Sequence, residues 1–148
     1  MTLNQAVENK KIFLIDDEPD MRIFLFNLLA TGGFEPIIAE SGTADLQRVS
    51  DENPALIILN ILKFRDSNML LYRDLRHDQK LRKIPVIMLS NVDRRTFFHY
   101  QKFENRPFGQ GIPEPDAYLV KPPEVDELLQ LVHALTQTSD ADATEETV

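Results

Sequence analysis

Several polar residues of this chain stand at the ends of apolar runs, where side chains of their types could do chemistry. Lys11-Ile12-Phe13-Leu14-Ile15 runs into Asp16-Asp17-Glu18. Ala55-Leu56-Ile57-Ile58-Leu59, with Pro54 in front, ends on Asn60. Ile84-Pro85-Val86-Ile87-Met88-Leu89 leads to Ser90, and Asp116-Ala117-Tyr118-Leu119-Val120 leads to Lys121. Paired carboxylates are hard oxygen ligands of the kind Mg2+ takes. An ammonium group can neutralise an anionic group beside it, whereas a neutral amide is a very poor nucleophile. What an amide does at position 60 is therefore the central question.

A short apolar run bounded by breakers reads as a strand buried on both faces. In an open parallel sheet, ligands bind beyond the carboxyl ends of the strands. If the four runs are parallel neighbours, Asp16, Asp17, Asn60, Ser90 and Lys121 converge on one rim. The intervening segments are helical in pattern. Pro19 suits a first helical turn with Asp17 or Glu18 as cap, and Met21, Phe24, Leu25, Leu28 and Leu29 follow at helical spacing up to Gly32-Gly33. Phe34 to Ala39 reads as a further short strand. Ser41 caps a second helix carrying Ala44, Leu46 and Val49, closed by Asn53-Pro54. Asn68 to His77 is a third helix, Asp93 to Phe103 a candidate fourth, and Val125, Leu128, Leu129, Val132 and Leu135 form the apolar stripe of a last helix. Strands alternating with helices imply right-handed crossovers and helices on both faces of an α/β sheet.

At 148 residues the chain suits one domain with one core. Three segments are expected: an arm at 1–10, a domain at 11–136 and a disordered acidic tail at 137–148. The tail holds Asp140, Asp142, Glu145 and Glu146 and has no large apolar group before Val148. No cysteine is present, which excludes disulfides and thiolate metal sites. The net charge of -8 argues against direct nucleic-acid binding. No apolar run approaches a membrane span, and the polar start lacks the core of a signal peptide, so a cytoplasmic location is expected.

Taken in order, these residues resemble the receiver domain of two-component response regulators, of the stand-alone chemotaxis type. The matching pieces are Asp16-Asp17, Ser90 after the fourth strand, Tyr118 on the fifth, Lys121-Pro122, and the spacing from Pro54 through Asn60 to Leu75-Arg76. The resemblance spans roughly Lys11 to Leu135. It implies a flavodoxin-like (βα)5 doubly wound parallel sheet of strand order 2-1-3-4-5, and a role in phosphorelay signalling without enzymatic activity of its own. It also implies that Asp16, Asp17 and the Leu62 backbone carbonyl hold Mg2+. By the same resemblance, Ser90 and Lys121 contact a phosphoryl group, and Tyr118 turns inward when Ser90 moves. Partners implied are a histidine kinase or another signalling protein, and a second copy of the chain, with no membrane and no direct nucleic-acid contact. No output domain is expected after the receiver, so its effect is expected to pass through another protein.

Three departures qualify the resemblance. The phosphoacceptor position holds Asn60, so phosphorylation is expected to fail and Mg2+ binding to be weak. Phe64 and Asn68 stand where the family has Pro and Gly, and Asn68 is expected to tolerate a left-handed backbone. The span from Ser90 to Lys121 is lengthened. It carries Phe97, Phe98, Tyr100, Phe103 and Phe108, expected to form a partner surface, with core packing as the alternative. Asn60 could also be a structural amide, donating to Asp17 and accepting from Lys121. A conventional receiver carrying an Asp-to-Asn replacement is the alternative reading. A haloacid-dehalogenase-type phosphatase needs an Asp-x-Asp motif that Asp16-Asp17-Glu18-Pro19 does not supply. An FMN binder of the flavodoxin kind needs a first loop without two carboxylates.

Overall fold

The computed structural model describes residues 10–39, 46–61, 67–97 and 113–147, with 138–147 described as backbone only. Its strands are β1 (Lys11–Ile15), β2 (Glu35–Ala39), β3 (Leu56–Asn60), β4 (Val86–Ser90) and β5 (Ala117–Val120). They form one sheet of order β2-β1-β3-β4-β5, every pair parallel. The helices are α1 (Pro19–Thr31), α2 (Leu46–Glu52), α3 (Ser67–His77) and α4 (Val125–Thr147). A 3-10 turn covers Leu81–Lys83, and residues 94–97 are helical.

Alternation along the strands builds two cores. Phe13, Ile15, Ile57, Leu59, Val86 and Met88 face α2 and α3, where Val49, Met69, Tyr72 and Leu75 meet them. Ile12, Leu14, Leu56, Ile58, Ile87 and Leu89 face α1 and α4, against Leu25, Leu29, Leu128 and Val132. Every residue of β3 and of β4 is buried, as the continuous apolar runs require of central strands covered on both faces. Gly33 ends α1 at φ 94°, and Phe34 N–H donates back to the Leu29 carbonyl at 2.9 Å. An L-residue with a side chain would be strained at that angle. Asn53 ends α2 in the left-handed region at φ 50°, a conformation asparagine tolerates.

The helix of α4 is continuous to Thr147, through the acidic stretch 137–147. One expectation changes here, and it concerns Phe97. It is 5% exposed and packs in the first core, its ring 5.5 Å from that of Tyr118, so it is not part of a partner surface. Phe98, Tyr100, Phe103 and Phe108 lie outside the described residues, as do Leu62 and Phe64.

Candidate functional site

Parallel register brings the polar strand ends together. Ile15 pairs with Leu59, so Asp16 and Asn60 are the next positions on adjacent strands. Asn60 pairs with Leu89 and Ser90 with Val120, which sets Ser90 and Lys121 beside them. The Lys121 N–H donates to the Ser90 carbonyl at 2.8 Å, and the Lys121-Pro122 bond is cis.

Asp16 is fully buried. Its Oδ1 accepts the Glu18 N–H at 2.9 Å, and its Oδ2 lies 3.1 Å from Lys121 Nζ. That contact is an ion pair by distance, although Oδ2 receives no well-aligned hydrogen bond among the described residues. Burial pushes the Asp16 carboxyl above the usual carboxylate range; the Glu18 N–H and the Lys121 charge oppose this and only partly offset it. The Lys121 side chain is 3% exposed, and its ammonium donates to Glu18 Oε1 as well. Asp17 is exposed.

Asn60 is 1% exposed. Neither its Oδ1 nor its Nδ2 has a hydrogen-bond partner among the described residues. The expectation that this amide donates to Asp17 and accepts from Lys121 is therefore not met, because Lys121 is drawn to two full negative charges instead of a neutral carbonyl dipole. Sequence reasoning missed the anchor of the Asn60 main chain. Asn68 Nδ2 donates to the Asn60 carbonyl at 2.6 Å, from a position 3% exposed in the first turn of α3. Asn68 thus has a helical backbone, and the left-handed conformation anticipated for it is replaced by a side-chain tie. An amide two residues into a helix, eight positions after a strand end, was the available signal.

Ser90 is 1% exposed, and its Oγ accepts the Val92 N–H at 3.1 Å. The Tyr118 hydroxyl donates to the Val92 carbonyl at 2.5 Å. Burial pushes the Tyr118 phenol above its ordinary pKa, with the Ser90 side chain acting in the opposite sense. Ser90 and Tyr118 therefore converge on Val92, which couples the rim to the face on which Phe97 packs.

A further polar centre, also missed, lies at the other end of the sheet. The Arg76 guanidinium donates to Asp116 Oδ1 at 2.8 Å, to the carbonyls of Arg82 and Ile84 at 2.9 Å each, and to the Tyr72 hydroxyl at 3.3 Å. Asp116 Oδ1 also accepts the Val86 N–H at 2.9 Å, so one carboxylate aligns the starts of β4 and β5. This cluster fastens α3 to the sheet edge that carries Tyr118 and Lys121.

Among the described residues, no group of three or more His, Cys, Asp or Glu side chains is placed to hold a metal ion. The rim oxygens are Asp16 Oδ2, paired with the Lys121 ammonium, and Asn60 Oδ1, both buried, with the exposed Asp17 carboxylate next to Asp16 in sequence. Oxygen donors of this kind fit Mg2+, though a neutral amide contributes less than a carboxylate would.

No family model matches the chain. Among curated proteins, Protein PilG of Pseudomonas aeruginosa is 28% identical over 132 residues, covering 89% of this chain and 91% of that protein. The alkaline phosphatase synthesis transcriptional regulatory protein PhoP of Bacillus subtilis is 29% identical over 132 residues, covering 89% of this chain but only 50% of PhoP. Among solved structures, a CheY-like response regulator receiver domain protein from Methanospirillum hungatei superposes with a TM-score of 0.71, covering 91% of this chain and 99% of that one at 18% identity. That last likeness speaks to the fold. The order β2-β1-β3-β4-β5 and these relatives agree: the chain is similar in sequence to response regulators and has the fold of their receiver domains.

Proposed function

We propose that this domain is an atypical receiver in phosphorelay signal transduction that does not accept a phosphoryl group and acts through protein contacts. The observation that carries the reading is Asn60. It occupies the end of β3, 1% exposed, as a neutral amide at the position where the resemblance expects an aspartate. A carboxylate oxygen can attack phosphorus and form an acyl phosphate; an amide lacks the charge and the basicity to do so.

The other residues are read in the roles the resemblance implies. Asp16 and Asp17, with the Leu62 carbonyl, would hold Mg2+, which supplies positive charge to neutralise oxygens at the rim. Lys121 stands against Asp16 and Glu18, and Ser90 bonds within its own loop. Tyr118 is the element through which a change at Ser90 would reach a partner, because both converge on Val92. The partners are a histidine kinase, another signalling protein or a second copy of the chain, met in the cytoplasm. Phe98, Tyr100, Phe103 and Phe108 are the aromatics assigned to that contact. Among the described residues, no helix is long and apolar enough to cross a membrane.

An amide NMR spectrum recorded with and without acetyl phosphate and Mg2+ tests the reading. The signals of Ser90, Val92 and Tyr118 should hold still on adding acetyl phosphate to Mg2+-loaded protein, and should move in Asn60→Asp. Movement in the unaltered chain equal to that in Asn60→Asp would overturn it.

A further inference from the structure

The geometry points to Glu18 as the positioning residue for Lys121: its carboxylate, at the start of α1, holds the ammonium that reaches across from the end of β5. This deepens the non-phosphorylatable reading and rests on it, because the lysine that would meet a phosphoryl group is occupied within the chain.

Two independent features of Glu18 carry the inference. It stands at the N-cap position of α1, with extended backbone (φ -81°, ψ 115°), where an acidic side chain ordinarily turns back to bond the first free N–H groups of the helix. Glu18 makes no such cap bond. Its carboxylate instead receives the Lys121 ammonium across 103 positions of sequence. Lys121 meets the other requirement. Its side chain is 3% exposed, so the ammonium is nearly removed from water and needs anionic partners. It takes Asp16 Oδ2 and Glu18 Oε1, and neither side-chain atom of Asn60 is bonded to it.

The charges explain the choice. The Asp16 side chain is 1% exposed and supplies one negative charge against the single positive charge of Lys121. With an amide at position 60, no second carboxylate faces the ammonium from β3. Glu18, 48% exposed, keeps much of its hydration while supplying that second carboxylate. Glu18 thus replaces a strand-end acid as a counter-ion.

The test is the rate at which the Lys121 ammonium protons exchange with water, read by 15N NMR at one fixed pH near 6, where lysine side chains are protonated. Exposed Lys80 is the internal reference. In the unaltered chain, Lys121 should exchange at least about tenfold more slowly than Lys80, as burial of the group demands. Glu18→Gln should accelerate it about two- to fivefold, the factor that corresponds to one half-exposed ion pair. Asp20→Asn, which removes a neighbouring first-turn charge that touches neither group, should leave it unchanged. Glu18→Asp, one methylene shorter, should fall between parent and Glu18→Gln. Equal rates in parent and Glu18→Gln, or a Lys121 as fast as Lys80 in the parent, would overturn the assignment. An Asp20→Asn effect as large as that of Glu18→Gln would overturn it too, since it would show only a general charge effect. Each of these outcomes is separate from whether Asn60 accepts a phosphoryl group, which mass measurement decides.

Discussion

Replacing Asn60 by aspartate should destabilise the domain at neutral pH, and the size of the loss follows from its surroundings. Asn60 is 1% exposed, and its neighbour across the β1–β3 register is Asp16, fully buried and already pushed above the usual carboxylate range by burial. A second carboxylate there is desolvated and meets a like charge, both of which raise its pKa. Lys121 opposes this in part, but it is shared between Asp16 and Glu18. A rise of about two pKa units at about 1.36 kcal/mol each gives a loss of about 3 kcal/mol at pH 7. For a domain of this size that lowers the melting temperature by about 6–12 °C. The sign with pH is fixed. An acid whose folded pKa is raised costs stability above that pKa, and the cost disappears below its unfolded value of about 3.9. The deficit of Asn60→Asp relative to the parent should therefore shrink as pH falls towards 4. Mg2+ at about one hundred times its dissociation constant would return about 2.7 kcal/mol to the variant, and less to the parent, in which the site binds more weakly. Urea unfolding of both proteins at pH 7 and pH 4.5, with and without Mg2+, measures all of these terms. A variant as stable as the parent at pH 7 without divalent cation would refute the placement of Asn60 in a dry, negatively charged site.

Three other outcomes are expected. Asn68→Ala should cost about 1–3 kcal/mol in urea unfolding, since it strips the buried Asn60 carbonyl of its 2.6 Å donor. Arg76→Lys should cost about 2 kcal/mol despite retaining the charge, because an ammonium cannot reproduce a planar fork that reaches Asp116, Tyr72 and two carbonyls at once; thermal unfolding reads this. The Asp93 carboxylate accepts the Thr96 N–H at 2.8 Å and the Thr96 hydroxyl at 3.0 Å, and these bonds hold its pKa below the ordinary value of 3.8. A depressed acid stabilises the folded state above its unfolded pKa and loses that contribution as pH falls through the folded one. The Thr96 amide shift should accordingly titrate with a midpoint below 3.8, and a midpoint at or above that value would show the cap bond to be absent in solution.

Much of the site was legible because it depends on strand ends, and strand ends are punctuated. Pro54 before Leu56 and polar groups after Ile15, Leu59 and Leu89 fix where each run stops, and parallel register then aligns the stops. Side-chain direction was less legible. Glu18 reads as a cap from its place before Pro19, yet its carboxylate crosses to Lys121, a choice made by a tertiary charge that no local pattern carries. Asn68 reads as a substitute for glycine and proves to be a hydrogen-bond donor. Arg76 lies at a common helix end, and its four acceptors come from segments up to 40 positions away. Phe97 was grouped with its aromatic neighbours by composition, whereas helical geometry at 94–97 turns it inward against Tyr118.

The central claim is that the end of β3 lacks a nucleophile, and intact mass after incubation with acetyl phosphate and Mg2+ tests it most directly. The unaltered chain should gain no phosphoryl group, while Asn60→Asp under the same conditions gains one, which is lost again in mild base as an acyl phosphate is. A stable single phosphoryl adduct on the unaltered chain would contradict the claim.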